Sequence, residues 1–263
     1  MHHFQNIIYE KRGPGAWIYL NRPNLMNPLN HEIVQEIGEA IEDVEKDLSI
    51  KAVVITGKGK AFSAGADLTF IKQIFETPEG AQVFRAYTRT WERVFYNLEN
   101  CRVPVIAAVN GLALAGGLEL VLVCDLVIAS EEARIGDQHA NFGLIAGGGG
   151  TQRLPRKIGI NRAKELLITG DWLTPQQAMD WGLVNRVVPA NKLEEAATEL
   201  VNKIAGKSSA ASRAVKQLVN QGMQMDIQDA LQLEQWAVHY HFTGEDVKEG
   251  LAAFKEKRKP VFK

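Results

Sequence analysis

The sequence is poor in cysteine. Only Cys101 and Cys124 occur among 263 residues, at a spacing that suits neither a zinc site nor a redox pair. A disulfide scaffold is thereby excluded, and both cysteines read as reduced thiols of an intracellular protein. An excess of one charge is lacking too: 30 Lys and Arg against 31 Asp and Glu leave a net charge of −1. That balance gives no support to a nucleic-acid partner or a membrane surface. No GxxxxGK[ST] phosphate loop and no GxSxG nucleophile elbow is present, and after Gly57 and Gly59 the third glycine of a dinucleotide fingerprint is replaced by Phe62. The opening MHHFQNIIYE carries neither a basic-plus-apolar signal nor an Arg/Ser-rich transit pattern, so a cytoplasmic location is expected. No internal repeat or low-complexity segment stands out.

Apolar residues, at 46%, are plentiful enough to bury one large core with room for a smaller second lobe. The longest apolar run, residues 103–129, could suggest a membrane span, yet it contains Pro104, Asn110, Glu119, Asp125 and three glycines. A carboxylate is costly in such company, so a buried core with a functional carboxylate is the better reading. PVIAAVN, residues 104–110, has the β-branched content of a buried strand, and Gly116-Gly117 would open a helix through Val123. A helix start presents unpaired N–H groups and a partial positive charge. Such a place can hold an oxygen that is acquiring negative charge. Glu119 would lie in the first turn, so an acid/base group and an oxyanion donor could share one cavity. The alternative is a charge that merely complements the helix dipole.

Residues 7–11 and 16–20 read as a hairpin around Gly13-Pro14-Gly15. NRPNLMNP, residues 21–28, is incompatible with regular structure, and Pro28 is expected to open an amphipathic helix whose apolar face runs from Leu29 to Leu48. Residues 52–56 form a buried strand, so strand, helix and strand point to a parallel α/β layer. The small-residue loop Ser63-Ala64-Gly65-Ala66 then falls at the C-terminal edge of a strand, where open parallel sheets bind ligands. Residues 81–98 are helical, and their stripe of Phe84, Tyr87, Trp91, Val94 and Leu98 reads as core. Residues 125–130 and 134–136 look like short strands. The loop 137–150 ends in four glycines, which suggests close backbone approach. Thr174-Pro175 starts a helix that Gly182 stops. From about residue 191 strand-like runs disappear, and helices are expected at 192–205, 208–221, 227–240 and 245–257, with a lobe boundary near residue 195.

These pieces in this order resemble the crotonase superfamily, the enoyl-CoA hydratase/isomerase group. The residues that carry the likeness are NRP (21–23), GKAFSAGADL (59–68), NGLALAGGLELVLVCDLVIAS (110–130), GGGTQRLPRKIG (148–159), LLITGDWLTPQQAMDWGLVNRVVP (166–189) and FTGEDVKEGLAAFKEKRKP (242–260). The resemblance implies an α/β fold: a crotonase-like spiral of ββα units over residues 1–195, then a C-terminal helical trimerisation region over 196–263. It also implies acyl-CoA thioester substrates, homotrimers or hexamers built as dimers of trimers, and no metal or redox cofactor, coenzyme A being part of the substrate. The oxyanion-hole amides fall by motif position on Ala66 and Gly116, and Glu119 falls on the first catalytic glutamate. The second glutamate is replaced by His139. Substrate-binding positions carried over in the same way are Leu25, Ala64, Asp67, Leu68, Thr69 and Gly117, with Phe254 and Lys257 reaching a neighbouring subunit's ligand.

The leading expectation is therefore a hydratase-type lyase in which Glu119 activates water and His139 assists, since histidine exchanges protons near neutral pH. Because His139 departs from the two-carboxylate pattern, double-bond isomerisation or CoA-ester or β-diketone hydrolysis stands as the alternative. Hydrolytic members with histidine in this neighbourhood add an aspartate nine residues on, where this sequence has Gly148. Asp137 could orient the His139 ring if the segment is extended, or be a surface-loop acid. A non-catalytic RNA- or protein-binding role has support only from the basic tail, residues 255–259.

Overall fold

Two sheets share the chain, and the backbone alternates between them. The computed structural model describes residues 4–262; the first three residues of the N-terminal stretch read for a leader lie outside that range. Strands β1 (Ile7–Arg12) and β2 (Gly15–Leu20) form the expected antiparallel hairpin. Residues 21–28 are not wholly irregular, because Pro23–Leu25 make one 3-10 turn. Helix α1 (His31–Lys46) begins later than Pro28 implied. Leu29 is held in an isolated bridge to Ala66, and Asn30 caps the helix by accepting from the Ile33 N–H at 3.1 Å. The helix ends at Lys46, so Leu48 lies beyond it and is exposed.

The next turns repeat one plan. β3 (Ala52–Gly57) lies in the large sheet, β4 (Ala61–Ser63) in the small one, and α2 (Leu68–Phe75) and α3 (Gly80–Glu99) return the chain. β5 (Val105–Val109), β6 (Leu112–Leu114) and α4 (Gly116–Leu122) follow. Then come β7 (Leu126–Ser130), β8 (Arg134–Gly136), α5 (Gly150–Ile158) and α6 (Ile160–Thr169). β9 (Trp172–Leu173), α7 (Pro175–Asp180) and β10 (Arg186–Val188) close the sheets. The large sheet has the order β1-β2-β3-β5-β7-β10, and the small one β4-β6-β8-β9. This is the ββα spiral. The apolar run 103–129 is cut into β5, β6, α4 and β7, and no helix among the described residues is long and apolar enough to cross a membrane. Thr174 makes the capping box that starts α7, and Gly182, with φ of 85°, stops the chain after it.

Alternate residues of the large sheet serve two cores. Ile18, Leu20, Val53, Ile55, Val105 and Ala107 face α1, α3 and α4, whereas Trp17, Tyr19, Val54, Ile106 and Ile128 face the opposite side. Helix α8 (Leu193–Ala205) covers that second face with Leu193, Ala196, Ala197 and Val201. Residue 195 therefore lies inside an element packed on the sheet. Burial pushes the Cys101 and Cys124 thiols up to about 11 and about 12, so neither is a ready nucleophile.

Helices α9 (Ser209–Gly222), α10 (Ile227–Phe242) and α11 (Glu245–Glu256) follow. Lys216 of α9 reaches back into the core, donating to Asp125 Oδ2 at 2.7 Å and to the Leu98 and Val103 carbonyls. Lys216→Ala would leave the Asp125 carboxylate buried without its cation. The expected loss is about 3 kcal/mol of unfolding free energy in urea titration, partly restored by adding Asp125→Asn. An unchanged midpoint would remove this anchor from the account.

Candidate active site

Strands β4, β6 and β8 are short, parallel and adjacent. Whatever follows each of them emerges at one edge of the small sheet. After β4 comes the loop 64–67; after β6, Ala115 and the start of α4; after β8, Asp137 and a 3-10 turn, His139–Phe142. Residues as far apart in sequence as Ala64 and Gly148 are thus brought to one cavity of about 130 Å³, also lined among others by Ala66, Leu68, Tyr87, Trp91, Glu119 and His139. Tyr87 and Trp91 are core residues, as their spacing suggested, but they also form the cavity wall, and their rings meet edge to face at 5.6 Å. A wider surface groove of about 650 Å³, along Pro78, Glu79 and the exposed face of α3, includes none of the expected site residues.

The loop after β4 and the turn before α4 touch. Gly65 has φ of 99°, and a Cβ there would lie 2.8 Å from the Leu114 carbonyl oxygen and 3.1 Å from the Gly116 nitrogen. Ala115, which precedes α4, is held at φ of 49°, a conformation that L residues avoid. Its N–H donates to the Gly136 carbonyl at 3.0 Å, tying the turn to the end of β8. Among the described residues, neither the Ala66 nor the Gly116 N–H donates to a protein acceptor.

Glu119 is 2% exposed. Its Oε1 accepts from the Gly148 N–H at 2.7 Å and the Gly150 N–H at 2.8 Å, while Oε2 has no hydrogen bond among the described residues. Burial raises its carboxyl above the usual carboxylate range, against the lowering influence of those two N–H groups and of His139. The glycine run is now explained: a Cβ on Gly148 would lie 2.8 Å from Oε2. The same run opens α5, so the loop expected over 137–150 ends one residue early, at Gly149. Arg153 of that helix donates to the Gly148 carbonyl at 3.1 Å and pairs with Glu99 of α3 through two nitrogens, at 3.0 and 2.9 Å. Arg153 was not singled out beforehand, although it sits within the GGGTQRL motif.

His139 faces the same cavity, and its Nδ1 lies 3.0 Å from each oxygen of Asp137. Asp137 is no surface-loop acid: it is 1% exposed and also accepts the His139 N–H at 2.9 Å. Burial lowers the imidazole pKa, but Asp137 and Glu119 outweigh it, so the ring is held above its ordinary value. The remaining nitrogen, Nε2, has no partner among the described residues.

The other expected binding positions are less concentrated. Asp67 caps α2, accepting from Thr69 and Phe70, and pairs with Arg22 at 2.9 Å. Thr69 and Gly117 do not line the cavity; Gly117 packs against the Ser63 carbonyl instead. Leu25 is exposed on the 3-10 turn, next to the Met26 carbonyl that accepts the Ala64 N–H. Phe254, 85% exposed, and Lys257 lie at the end of α11, outside the cavity. In the basic tail, Arg258 is engaged by Glu249 and Glu256. No group of three or more His, Cys, Asp or Glu among the described residues is arranged to hold a metal ion.

Residues 14–263 match the sequence profile of the family described as enoyl-CoA hydratase/isomerase. A short-chain-enoyl-CoA hydratase of Clostridium acetobutylicum is 42% identical, over 97% of this chain and 96% of its own length. A crotonyl-CoA hydratase of Syntrophomonas wolfei is 41% identical, over 98% of each. The crystal structure of an enoyl-CoA hydratase from Bacillus anthracis superposes with a TM-score of 0.92 at 40% identity, covering 98% of this chain and 99% of that one.

Because the folded state raises the Glu119 pKa, the stability it contributes is complete below the ordinary carboxylate range and is lost as pH rises through the folded value. Glu119→Gln cannot ionise and keeps an oxygen for both glycine N–H groups. Its melting temperature should exceed that of the wild type at neutral pH, by roughly 2–4 °C per kcal/mol, with the difference vanishing in acid. A variant less stable at neutral pH would contradict this electrostatic picture.

Proposed function

The chain belongs to the enoyl-CoA hydratase/isomerase family, and from that premise we propose that it is a lyase that adds water across the 2,3 double bond of an enoyl-CoA thioester. The observation that carries this reading is the Glu119 carboxylate: buried, pinned through one oxygen by two backbone N–H groups, and left with the other oxygen free in a cavity it shares with His139. A base so placed is poorly hydrated and fixed in direction, as proton abstraction from one bound water requires.

In this reading the thioester oxygen is received by the N–H groups of Ala66 and Gly116. Charge that develops on that oxygen as the enolate forms is stabilised there; removing one such donor costs roughly 3–4 kcal/mol of the barrier. Glu119 Oε2 takes a proton from water, the hydroxyl adds at C3, and the electron pair of the double bond moves toward the thioester oxygen. His139 then delivers a proton to C2. Coenzyme A is part of the substrate, and no separate cofactor enters the scheme. Its adenine and phosphates would run along residues 21–26, the loop with Ala64 and Asp67, and the start of α2 at Leu68 and Thr69, while Phe254 and Lys257 of a neighbouring subunit complete the site. Gly117 supports the turn from behind.

A trimer, or a hexamer of two trimers, is supported by the C-terminal helices. None of the residues of α10 is buried, and Trp236 on it is 71% exposed. A helix with no buried face, carrying exposed Leu231 and adjoining exposed Val215, Val219 and Met223, fits an oligomer surface built by the helices that follow α8.

With crotonyl-CoA as substrate, the conjugated-enoyl absorbance should fall in the presence of the wild type, and kcat/KM should be bell-shaped in pH. Its acid limb lies above the ordinary carboxylate range, because Glu119 must be ionised, and its alkaline limb above the ordinary imidazole value, because His139 must be protonated. Glu119→Gln should lose roughly 10²–10⁴-fold in kcat with KM little changed. Release of free CoA, or a migrated double bond from another substrate, without loss of the absorbance would sink the hydratase reading. Trp236→Glu should reduce the assembly size in light scattering, and an unaltered mass would remove α10 from the subunit contact.

A further inference from the structure

Resting on the hydration reading above, we propose that Asp137 is a positioning residue that acts through His139, fixing the ring so that Nε2 is the nitrogen that exchanges a proton with the substrate's α-carbon. Asp137 is 1% exposed, and its donors among the described residues come from His139 alone: the backbone N–H at 2.9 Å and Nδ1 at 3.0 Å from each carboxylate oxygen. A buried carboxylate keeps its charge only where donors meet it. This one is met by a single histidine, so carboxylate and ring form one unit.

The chemistry follows from what each group can do. An ionised carboxylate only accepts, so the nitrogen facing it must carry a proton in both the neutral ring and the cation. Nδ1 is therefore occupied at every pH at which Asp137 is charged, and only Nε2 changes state. A neutral imidazole without such a partner would divide between two tautomers; beside Asp137 the tautomer with a lone pair on Nδ1 is disfavoured, because two acceptors would then face each other. The charged groups that act on the ring are Asp137, from its own loop, and Glu119, from α4; both favour the cation.

The proton inventory then balances. Water yields a proton to Glu119 and hydroxyl to C3; C2 of the enolate takes a proton from His139 Nε2. The site is left with a protonated Glu119 and a neutral His139, and transfer of one proton from the first to the second through solvent restores it. Asp137 takes no part in these proton transfers. It touches no reacting atom; it keeps His139 able to be the acid while Glu119 is the base.

The test combines turnover with a spectroscopic signature. In Asp137→Asn the amide oxygen can still accept from Nδ1, so the fold and CoA-ester binding should persist. The loss of charge should lower kcat by roughly 10²-fold, leave KM nearly unchanged, and move the alkaline limb to lower pH. Asp137→Glu should recover part of the rate. In a His139→Ala background the same Asp137→Asn change should cost nothing further. Independently of turnover, a ¹⁵N-histidine NMR titration should show the His139 pKa falling in Asp137→Asn. Wild-type kcat and limb in Asp137→Asn, an equal loss in the His139→Ala background, or an unmoved His139 titration would each overturn the proposal. If crotonyl-CoA is not hydrated while the titration moves as expected, the hydration reading falls and the Asp137–His139 unit stands.

Discussion

A carboxylate can be kept in an apolar cavity only if something donates to it, and here the donors to Glu119 are backbone N–H groups of a glycine loop. Much of the site follows from that requirement. The backbone must come within 2.7 Å of the carboxylate, so a side chain at Gly148 has no room. A run of glycines is floppy by itself, and something else must hold it. Arg153 does so by grasping the Gly148 carbonyl while its guanidinium is fixed by Glu99 of α3. The direction of the catalytic candidate thus depends on an ion pair that is itself remote from any substrate.

The second constraint is topological. Glu119, His139 and Ala66 share no local motif, and what unites them is that each follows a strand of the small sheet: β6, β8 and β4 in that order. Neighbouring parallel strands lie about 4.8 Å apart, so one turn of the coil advances the chain by roughly the width of a functional group. Two or three turns then deliver an N–H donor, a carboxylate and an imidazole to the same edge. The positive φ of Ala115 belongs to this arrangement, because α4 must start abruptly where β6 ends. Backbone strain at such a junction is tolerated when the surrounding contacts over-determine it, as the bond from the Ala115 N–H to the Gly136 carbonyl does here.

Where the sequence was long and periodic it was legible. The hairpin, the parallel layer, the helix over Gly80–Glu99 and the four C-terminal helices all appear within a few residues of expectation. Strands β4 and β6 were not visible, because each is three residues of small or apolar character with no period to read and lies against a glycine-containing loop, whereas the equally short β8 was expected. The glycines at 147–150 read as the end of a loop, yet Gly150 is the first residue of α5, and residues 151–169, for which no element was expected, form the rest of α5 and α6. The start of α1 was misplaced because Pro28 and Asn30 are both good initiators, and the bridge from Leu29 to Ala66 decided between them. At the site, Glu119 could be reasoned from its isolation in an apolar run. For Asp137 the sequence left two readings open, orientation of the His139 ring or a surface-loop acid, because the 1% exposure that decides between them is set by tertiary packing. A usable signal existed nonetheless, for an aspartate two residues before a histidine can accept that residue's N–H.

The partly buried Asp125 and the buried Glu119 show how surroundings separate a structural carboxylate from the one proposed as the base. Asp125 is also raised by burial, yet its Oδ2 is met by Lys216 at 2.7 Å and by the Val105 N–H at 2.7 Å. A fixed ammonium at that distance holds the charge and blocks approach, so the group is spent on joining α9 to the sheet. Glu119 has only neutral donors on one oxygen and, across the cavity, an imidazole whose charge changes with pH. Its anion is therefore stabilised enough to form and not so much as to lose basicity, while the free oxygen faces the cavity. Placing a permanent cation beside Glu119 would strengthen the fold and weaken the base. In the proposed hydration, glycine amides, with a histidine in place of a lysine or arginine, would keep the proton mobile.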